Sequence, residues 1–177
     1  MKNIILFFAL FIVCLQGQTQ NLHQLSFKNL DGQPVSLSSS AGKKLVFIIV
    51  PLMQSDSIFV QLRSFLLHYQ DSVQVIGIPS LDDGFDKNDA AALQSLYNGM
   101  RIILTEGMHT HKAAGSKQSD LFKWLTDKKQ NHYFDYEVLG VGHKFFVNEA
   151  GRLYGSMPPQ ISFNHPVVNA IIHSPAN

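Results

Sequence analysis

Lys44 to Val50 reads Lys-Leu-Val-Phe-Ile-Ile-Val, an apolar run with no polar alternation. Such a run is expected of a strand covered on both faces, at the centre of a parallel or mixed sheet. Pro51 has no backbone N–H and ends it. Ser55 or Asp56 can then cap a helix, along which Ile58, Leu62, Phe65, Leu66 and Tyr69 recur at helical spacing. A second apolar strand, Val73 to Ile78, follows and is stopped by Pro79. Strand, helix and strand in this order restrict the chain to layered α/β architectures.

The flanking segments narrow the class. Leu25 to Asn29 and Pro34 to Leu37, joined by an Asp31-Gly32 turn, predict an N-terminal β-hairpin. Asn88 to Asn98 predicts a helix ended by Gly99, and Arg101 to Leu104 a short strand. Ser119 to Asp127 predicts an amphipathic helix with Leu121, Trp124 and Leu125 inward. Lys144 to Val147 and Leu153-Tyr154 flank a Glu149-Ala150-Gly151 turn, and Val167 to Ile172 predicts a closing helix. The expected fold is thioredoxin-like: a mixed central sheet flanked by helices, preceded by a β-hairpin.

The first residues are Met-Lys-Asn, then the apolar run Ile4 to Leu15, then polar and small residues through Gln20. This is the layout of a secretory signal, with cleavage expected near Gln18 to Gln20. The run is short of the roughly 20 residues of a membrane span. Residues 1–20 are therefore read as a signal peptide and 21–177 as one domain, exported to a periplasmic or extracellular location. A lipid anchor on Cys14 is the lesser expectation, because Val13 stands where such signals favour a small residue. Removing Lys2 with the leader leaves 13 basic against 13 acidic residues. That balance argues against nucleic acid or an anionic membrane surface as the main partner. Cys14 is the only cysteine, so residues 21–177 form no disulfide and rely on packing.

Four separated segments resemble the glutathione peroxidase family. They are Phe27 to Leu37 with Gly42-Lys43-Lys44 and the strand after it, Val75-Ile76-Gly77-Ile78-Pro79-Ser80, Leu121-Phe122-Lys123-Trp124-Leu125, and Lys144 to Arg152 followed by Pro158-Pro159 and a terminal helix. Their order and spacing span nearly all of residues 25–173. The short stretch from Thr126 to His143 resembles the family's compact form, which lacks an oligomerisation loop, and a monomer is expected.

The resemblance implies a sulfur or selenium nucleophile just after the first core strand, with a glutamine, a tryptophan and an asparagine around it. The nucleophile position falls within Met53-Gln54-Ser55, the glutamine position at Asp82, and the tryptophan and asparagine positions at Gly140 and Val141. None of these four positions carries the residue type that the resemblance implies there. Peroxide reduction needs a thiolate, made accessible by a helix N-terminus and nearby donors. A serine hydroxyl stays protonated, and oxidation of Met53 has no recycling partner in the chain. A carboxylate at position 82 would raise, not lower, the pKa of a neighbouring thiol.

The leading expectation is therefore a family-like exported protein without thiol peroxidase activity, needing no cofactor. It would bind a protein, a peptide or a small molecule in a groove at the former active-site face. One alternative is residual hydroperoxide reduction in an oxidative-stress response. Another is metal binding. Met108-His109-Thr110-His111 is the one local cluster of metal-ligating type, and alternate spacing puts both rings on one side of an extended segment. The plainer reading of that cluster is an exposed polar loop. The acidic residues Asp82, Asp83, Asp86 and Asp89 do not follow the spacing of a calcium loop and are read as a solvated approach to a helix. Ser55 and Asp56 lie in no nucleophile elbow and are read as caps.

Overall fold

The computed structural model describes residues 21–69 and 71–175. The expected leader and Cys14 lie outside the described residues. Strands are β1 (Ser26–Lys28), β2 (Pro34–Ser36), β3 (Lys44–Ile49), β4 (Val73–Ile78), β5 (Ile102–Leu104), β6 (Lys144–Val147) and β7 (Leu153–Met157). Helices are α1 (Ser57–Tyr69), α2 (Ala90–Leu96), α3 (Asp120–Thr126), α4 (Lys128–Asn131) and α5 (Pro166–His173). The main sheet runs β5-β4-β3-β6-β7, and β1 pairs with β2 in a separate antiparallel hairpin. β3, β4 and β5 are parallel, while β6 and β7 run antiparallel to their neighbours. This is the thioredoxin-like α/β arrangement with its mixed sheet and N-terminal hairpin.

All six residues of β3 are buried because both faces of the strand are covered. Leu45, Phe47 and Ile49 pack with Ile76, Ile78 and Phe145 against Phe27, Leu37 and the α3 residues Leu121, Phe122, Trp124 and Leu125. Val46, Ile48 and Val50 face the other way, against Phe59, Leu62, Phe65 and Leu66 of α1, Leu93 of α2, and Val168 and Ile172 of α5. The strand's two-residue period thus feeds two cores, which explains the unbroken apolar run.

Several boundaries differ from the sequence expectation. The helix expected at Asn88–Asn98 is a 3₁₀ turn, Lys87–Asp89, followed by the seven-residue α2. Asp86 accepts the Asn88 N–H at 2.8 Å and starts the tighter turn there. Ser119 is the cap of α3 rather than its first residue, since its side chain accepts from the Phe122 N–H. The short helix α4 was not expected. It begins on a side-chain cap from Asp127 and ends at His132 in the left-handed region, φ 67°. Among the described residues no helix is long and apolar enough to cross a membrane.

Candidate functional site

The parallel strands β3, β4 and β5 release their chains at one end of the sheet. The antiparallel β6 begins there, because Ile48 pairs with Lys144. Open α/β sheets bind ligands outside the carboxyl ends of their parallel strands. Four connections meet at this end: residues 50–57, 79–86, 105–111 and 138–143.

The first connection leads into α1. Pro51 is buried and its carbonyl accepts the Tyr97 hydroxyl at 3.0 Å. Asp56 caps the helix: its carboxylate accepts the Ile58 N–H at 2.7 Å, and its carbonyl accepts the Phe59 N–H. Of the two cap candidates, Asp56 therefore takes the role. Ser55 precedes the cap and is exposed, as are Gln54 and Met53, the last at 66%. Gln54 lines a 550 Å³ groove between α1 and α2, with Phe59, Leu66, Leu96 and Met100 among its walls.

The second and third connections are tied together. Met108 bonds to the backbone on both sides of Ser80: its N–H donates to the Pro79 carbonyl, and the Leu81 N–H donates to the Met108 carbonyl. Ser80 and Thr110 share a buried hydroxyl–hydroxyl hydrogen bond of 2.9 Å. The start of α3 clamps the segment further, with Gln118 donating to the Thr110 carbonyl and the Ser119 N–H donating to the His109 carbonyl.

The exposed-loop reading of 108–111 therefore needs correction. Met108 and Thr110 are buried, while His109 and His111 face outward at the alternation of an extended chain. Met108 lies in the core and is not a third ligand beside the two rings.

Asp82 and Asp83, expected to be solvated, engage those rings. His109 Nδ1 lies 2.6 Å from Asp82 Oδ1, and His111 Nε2 lies 3.1 Å from Asp83 Oδ2. Asp82 Oδ2 also accepts the N–H groups of Thr110, at 2.6 Å, and His111, at 2.9 Å. The main chain of Asp82 faces solvent, but its side chain keeps only 18% exposure. Burial works to raise the pKa of this carboxyl. The His109 ring and the two N–H donors outweigh that and hold it below the usual carboxylate range.

The fourth connection closes the face. Gly140 has φ +91°, and a Cβ there would sit 3.2 Å from Asp83 Oδ1. Gly142 has φ +87°, and a Cβ there would sit 2.5 Å from Ile58 Cδ1 at the start of α1. The space beside these glycines is thus taken by Asp83 and Ile58. Val141 is half-buried and packs into the core, away from the polar cluster.

His143 anchors the connection from below. It accepts the Leu139 N–H on Nδ1 at 3.0 Å, meets Ser156 Oγ at 2.8 Å through Nε2, and stacks on Phe145 at 4.7 Å. Burial, followed by the charges of Lys144 and His111, lowers its pKa to about 4. Beside it, Lys144 Nζ donates to the carbonyls of Gly142, Pro158 and Ile161, and burial lowers its pKa to about 8.

The structure therefore brings Met53, Gln54, Ser55, Asp82 and Gly140 to one end of the sheet, with His109 and His111 beside Asp82 and Asp83. Asp83 and His143 are the participants that sequence reasoning left out. Asp83 lay in the same acidic run as Asp82, but only the register between the two loops shows which ring it meets. The described cavities are not lined by Asp82, Gly140 or Val141. Among the described residues, no group of three or more His, Cys, Asp or Glu side chains gathers in a way that could hold a metal ion.

No family model matches the chain, and no curated protein matches it in sequence. Solved structures do. The structure described as Trgpx in apo form superposes with a TM-score of 0.67 at 16% identity, covering 89% of this chain and 99% of its own. T. cruzi GPX1 superposes at 0.63 with 13% identity, over 86% of this chain and 97% of its own. A thiol:disulfide interchange protein of the thioredoxin family from Chlorobium tepidum TLS superposes at 0.57 with 13% identity, over 88% and 97%. At these identities the likeness is one of fold.

Proposed function

We propose that this chain is an exported thioredoxin-fold binding module, related to glutathione peroxidases, that works without thiol peroxidase turnover. It takes a peptide or protein segment at the carboxyl end of its parallel strands. The observation that carries the reading is the makeup of that end. The α1 start, where the resemblance implies a sulfur nucleophile, carries Met53, Gln54 and Ser55 around an Asp56 cap. The positions implied for tryptophan and asparagine are Gly140 and an inward Val141, with Asp83 in the space beside Gly140.

What remains exposed suits docking better than redox chemistry. Met53 at 66% and Leu139 at 58% are large apolar side chains on the loops after β3 and before β6, at the same end of the sheet as the polar Asp–His cluster. An apolar contact set beside satisfied polar groups is the usual composition of a recognition surface. The wide groove at Gln54 offers room for an extended segment along α1.

Two measurements test this. Hydroperoxide turnover is assayed with glutathione or thioredoxin as reductant, and the expected rate equals the protein-free rate. Turnover that disappears when Met53, Gln54 and Ser55 are replaced by alanine overturns the reading. A photo-crosslinking side chain is then installed at position 53, 139 or 167. Adducts are expected at 53 and 139 and not at Val167 on α5, and equal labelling at all three refutes a dedicated face.

A further inference from the structure

We propose that the groove between α1 and α2 takes an acidic, apolar peptide segment, whose carboxylates meet Arg63 and Arg101 while its apolar side chains lie against Phe59, Leu66 and Met100. This inference rests on the docking reading above and names the chemistry of the docked segment. Three observations support it.

The first is the shape and lining of the groove. Its 550 Å³ is within the range of ligand-sized clefts, about 300–1,000 Å³. Phe59 and Leu66 are buried and form its apolar base, and Leu96 and Met100 are half-buried in its wall. Leu67 lies at its edge with 69% exposure. An exposed apolar side chain continuous with an apolar groove marks an interaction surface more than a scattered one does.

The second is charge. Among the described residues that line the groove there are two arginines and no Asp or Glu. The protein as a whole has no such bias, since residues 21–177 carry 13 basic and 13 acidic side chains. Among the described residues no carboxylate forms an ion pair with Arg63. Arg101 Nη1 donates to Asp71 at 2.8 Å, but both side chains are largely exposed. Such a pair contributes little, and one bond leaves other N–H groups of the guanidinium for a second carboxylate.

The third is placement. Phe59, Arg63 and Leu67 follow one another four residues apart along α1, so the arginine stands between two apolar residues on one helix face. Arg101 comes from the turn after α2, where Gly99 takes φ +76°. A segment lying in the groove thus meets a cation from each side, with apolar contacts between them. Guanidinium binds carboxylate through two parallel N–H bonds, which fixes register as well as charge. A second copy docked by two-fold symmetry on this face would set cations against cations, which disfavours it.

The purified full chain is titrated with short fluorescent peptides that share Leu and Phe positions and carry Glu, Gln or Lys between them, with anisotropy as the readout. At low salt the Glu peptide is expected to bind roughly 10-fold more tightly than the other two, and to lose most of that margin at high salt. R63E/R101E is expected to reverse the order, so that the Lys peptide binds best. K128Q/K129Q, which removes two exposed cations of α4 that do not line the groove, is expected to keep the original order. In the unmutated chain the Glu peptide should shift the Arg63 and Arg101 Nε–H and the Met100 methyl resonances first, and this readout decides the case if the double variant does not fold. Equal affinity for the Glu and Gln peptides, an unchanged order in R63E/R101E, or first shifts elsewhere overturns the proposal. So does free glutamate binding as tightly as the peptide, or a dimer in sedimentation that R63E/R101E dissolves. Selective crosslinking at positions 53 and 139 without a preference for the Glu peptide removes only this inference. Unselective crosslinking with the expected charge reversal removes only the dedicated face at the sheet end.

Discussion

His143 should make the stability of this domain depend on pH in the interval below neutrality. The residue is 2% exposed, and the Leu139 N–H donates to Nδ1. The neutral ring therefore carries its proton on Nε2 and donates to Ser156 Oγ. Protonation would set a second N–H against the Leu139 N–H, inside a site shielded from water. The pKa falls from 6.5 to about 4 on folding. Between those values the unfolded chain binds a proton that the folded chain refuses. Stability is thus fully present above pH 6.5 and is lost as pH falls towards 4. The full loss is about 3 kcal/mol, and the part between pH 7 and pH 5 is about 2 kcal/mol. For a domain of this size that lowers Tm by about 4–8 °C. Asp82, whose carboxyl is depressed below 3.8, contributes stability that is lost only at lower pH, so it does not confuse the window. Urea and thermal denaturation of the unmutated chain and of His143→Gln at pH 7, 6 and 5 provide the assay. The glutamine variant cannot take the proton, and its stability should be nearly flat from pH 7 to 5. Parallel slopes for the two proteins, or an NMR titration placing His143 near 6.5, would refute the reasoning.

Gly142→Ala forces a Cβ into a backbone at φ +87° and against Ile58, and should cost about 1–3 kcal/mol in urea denaturation. Lys144→Met keeps the volume but leaves the carbonyls of Gly142, Pro158 and Ile161 without their shared donor. Hydrogen exchange around residues 158–161 should speed up. The folded Lys144 releases its proton near pH 8 rather than 10.5, so stability should rise with pH across that interval in the unmutated chain and not in the variant. Ser55→Cys should give a thiol with no hydroperoxide turnover in the glutathione-coupled assay. The Asp56 carboxylate already takes the Ile58 N–H and adds a negative charge beside the new sulfur.

Fold and site differed in how far the sequence revealed them. The buried strands were legible because β3 and β4 lie between two apolar layers, and such strands can hardly be anything but apolar runs. Pro51 and Pro79 marked the places where the sheet hands over to loops. Helix limits near Lys87 and Asn131 were less legible, since Asp86 and Asp127 each begin a turn by a local side-chain bond that apolar periodicity does not register. Of the site, the sequence carried residue types but not pairings. His109 and His111 stood out through their spacing, and Asp82 through its alignment position. That Asp82 meets one ring and Asp83 the other depends on the Ser80–Met108 bridge between segments separated in the chain. His143 gave no signal, because its character comes from the Leu139 amide, Ser156 and the Phe145 ring together.

On the reading proposed here, the changes at this end of the sheet are coupled rather than independent losses. A tryptophan at position 140 would need the volume where Asp83 Oδ1 now lies, 3.2 Å from the Cβ position. Asp83 in turn supports His111, whose N–H helps hold Asp82. A larger residue at 142 would displace Ile58, which starts α1 from the Asp56 cap. Each position thus constrains the next through packing or a hydrogen bond. Restoring a sulfur alone leaves the donors missing, and restoring an aromatic donor alone collides with the carboxylate. Interaction of this kind is what makes substitutions in contact non-additive. The volume beside Gly140 and Gly142 is filled by Asp83 and Ile58, so a larger side chain at either position needs its neighbour to move as well.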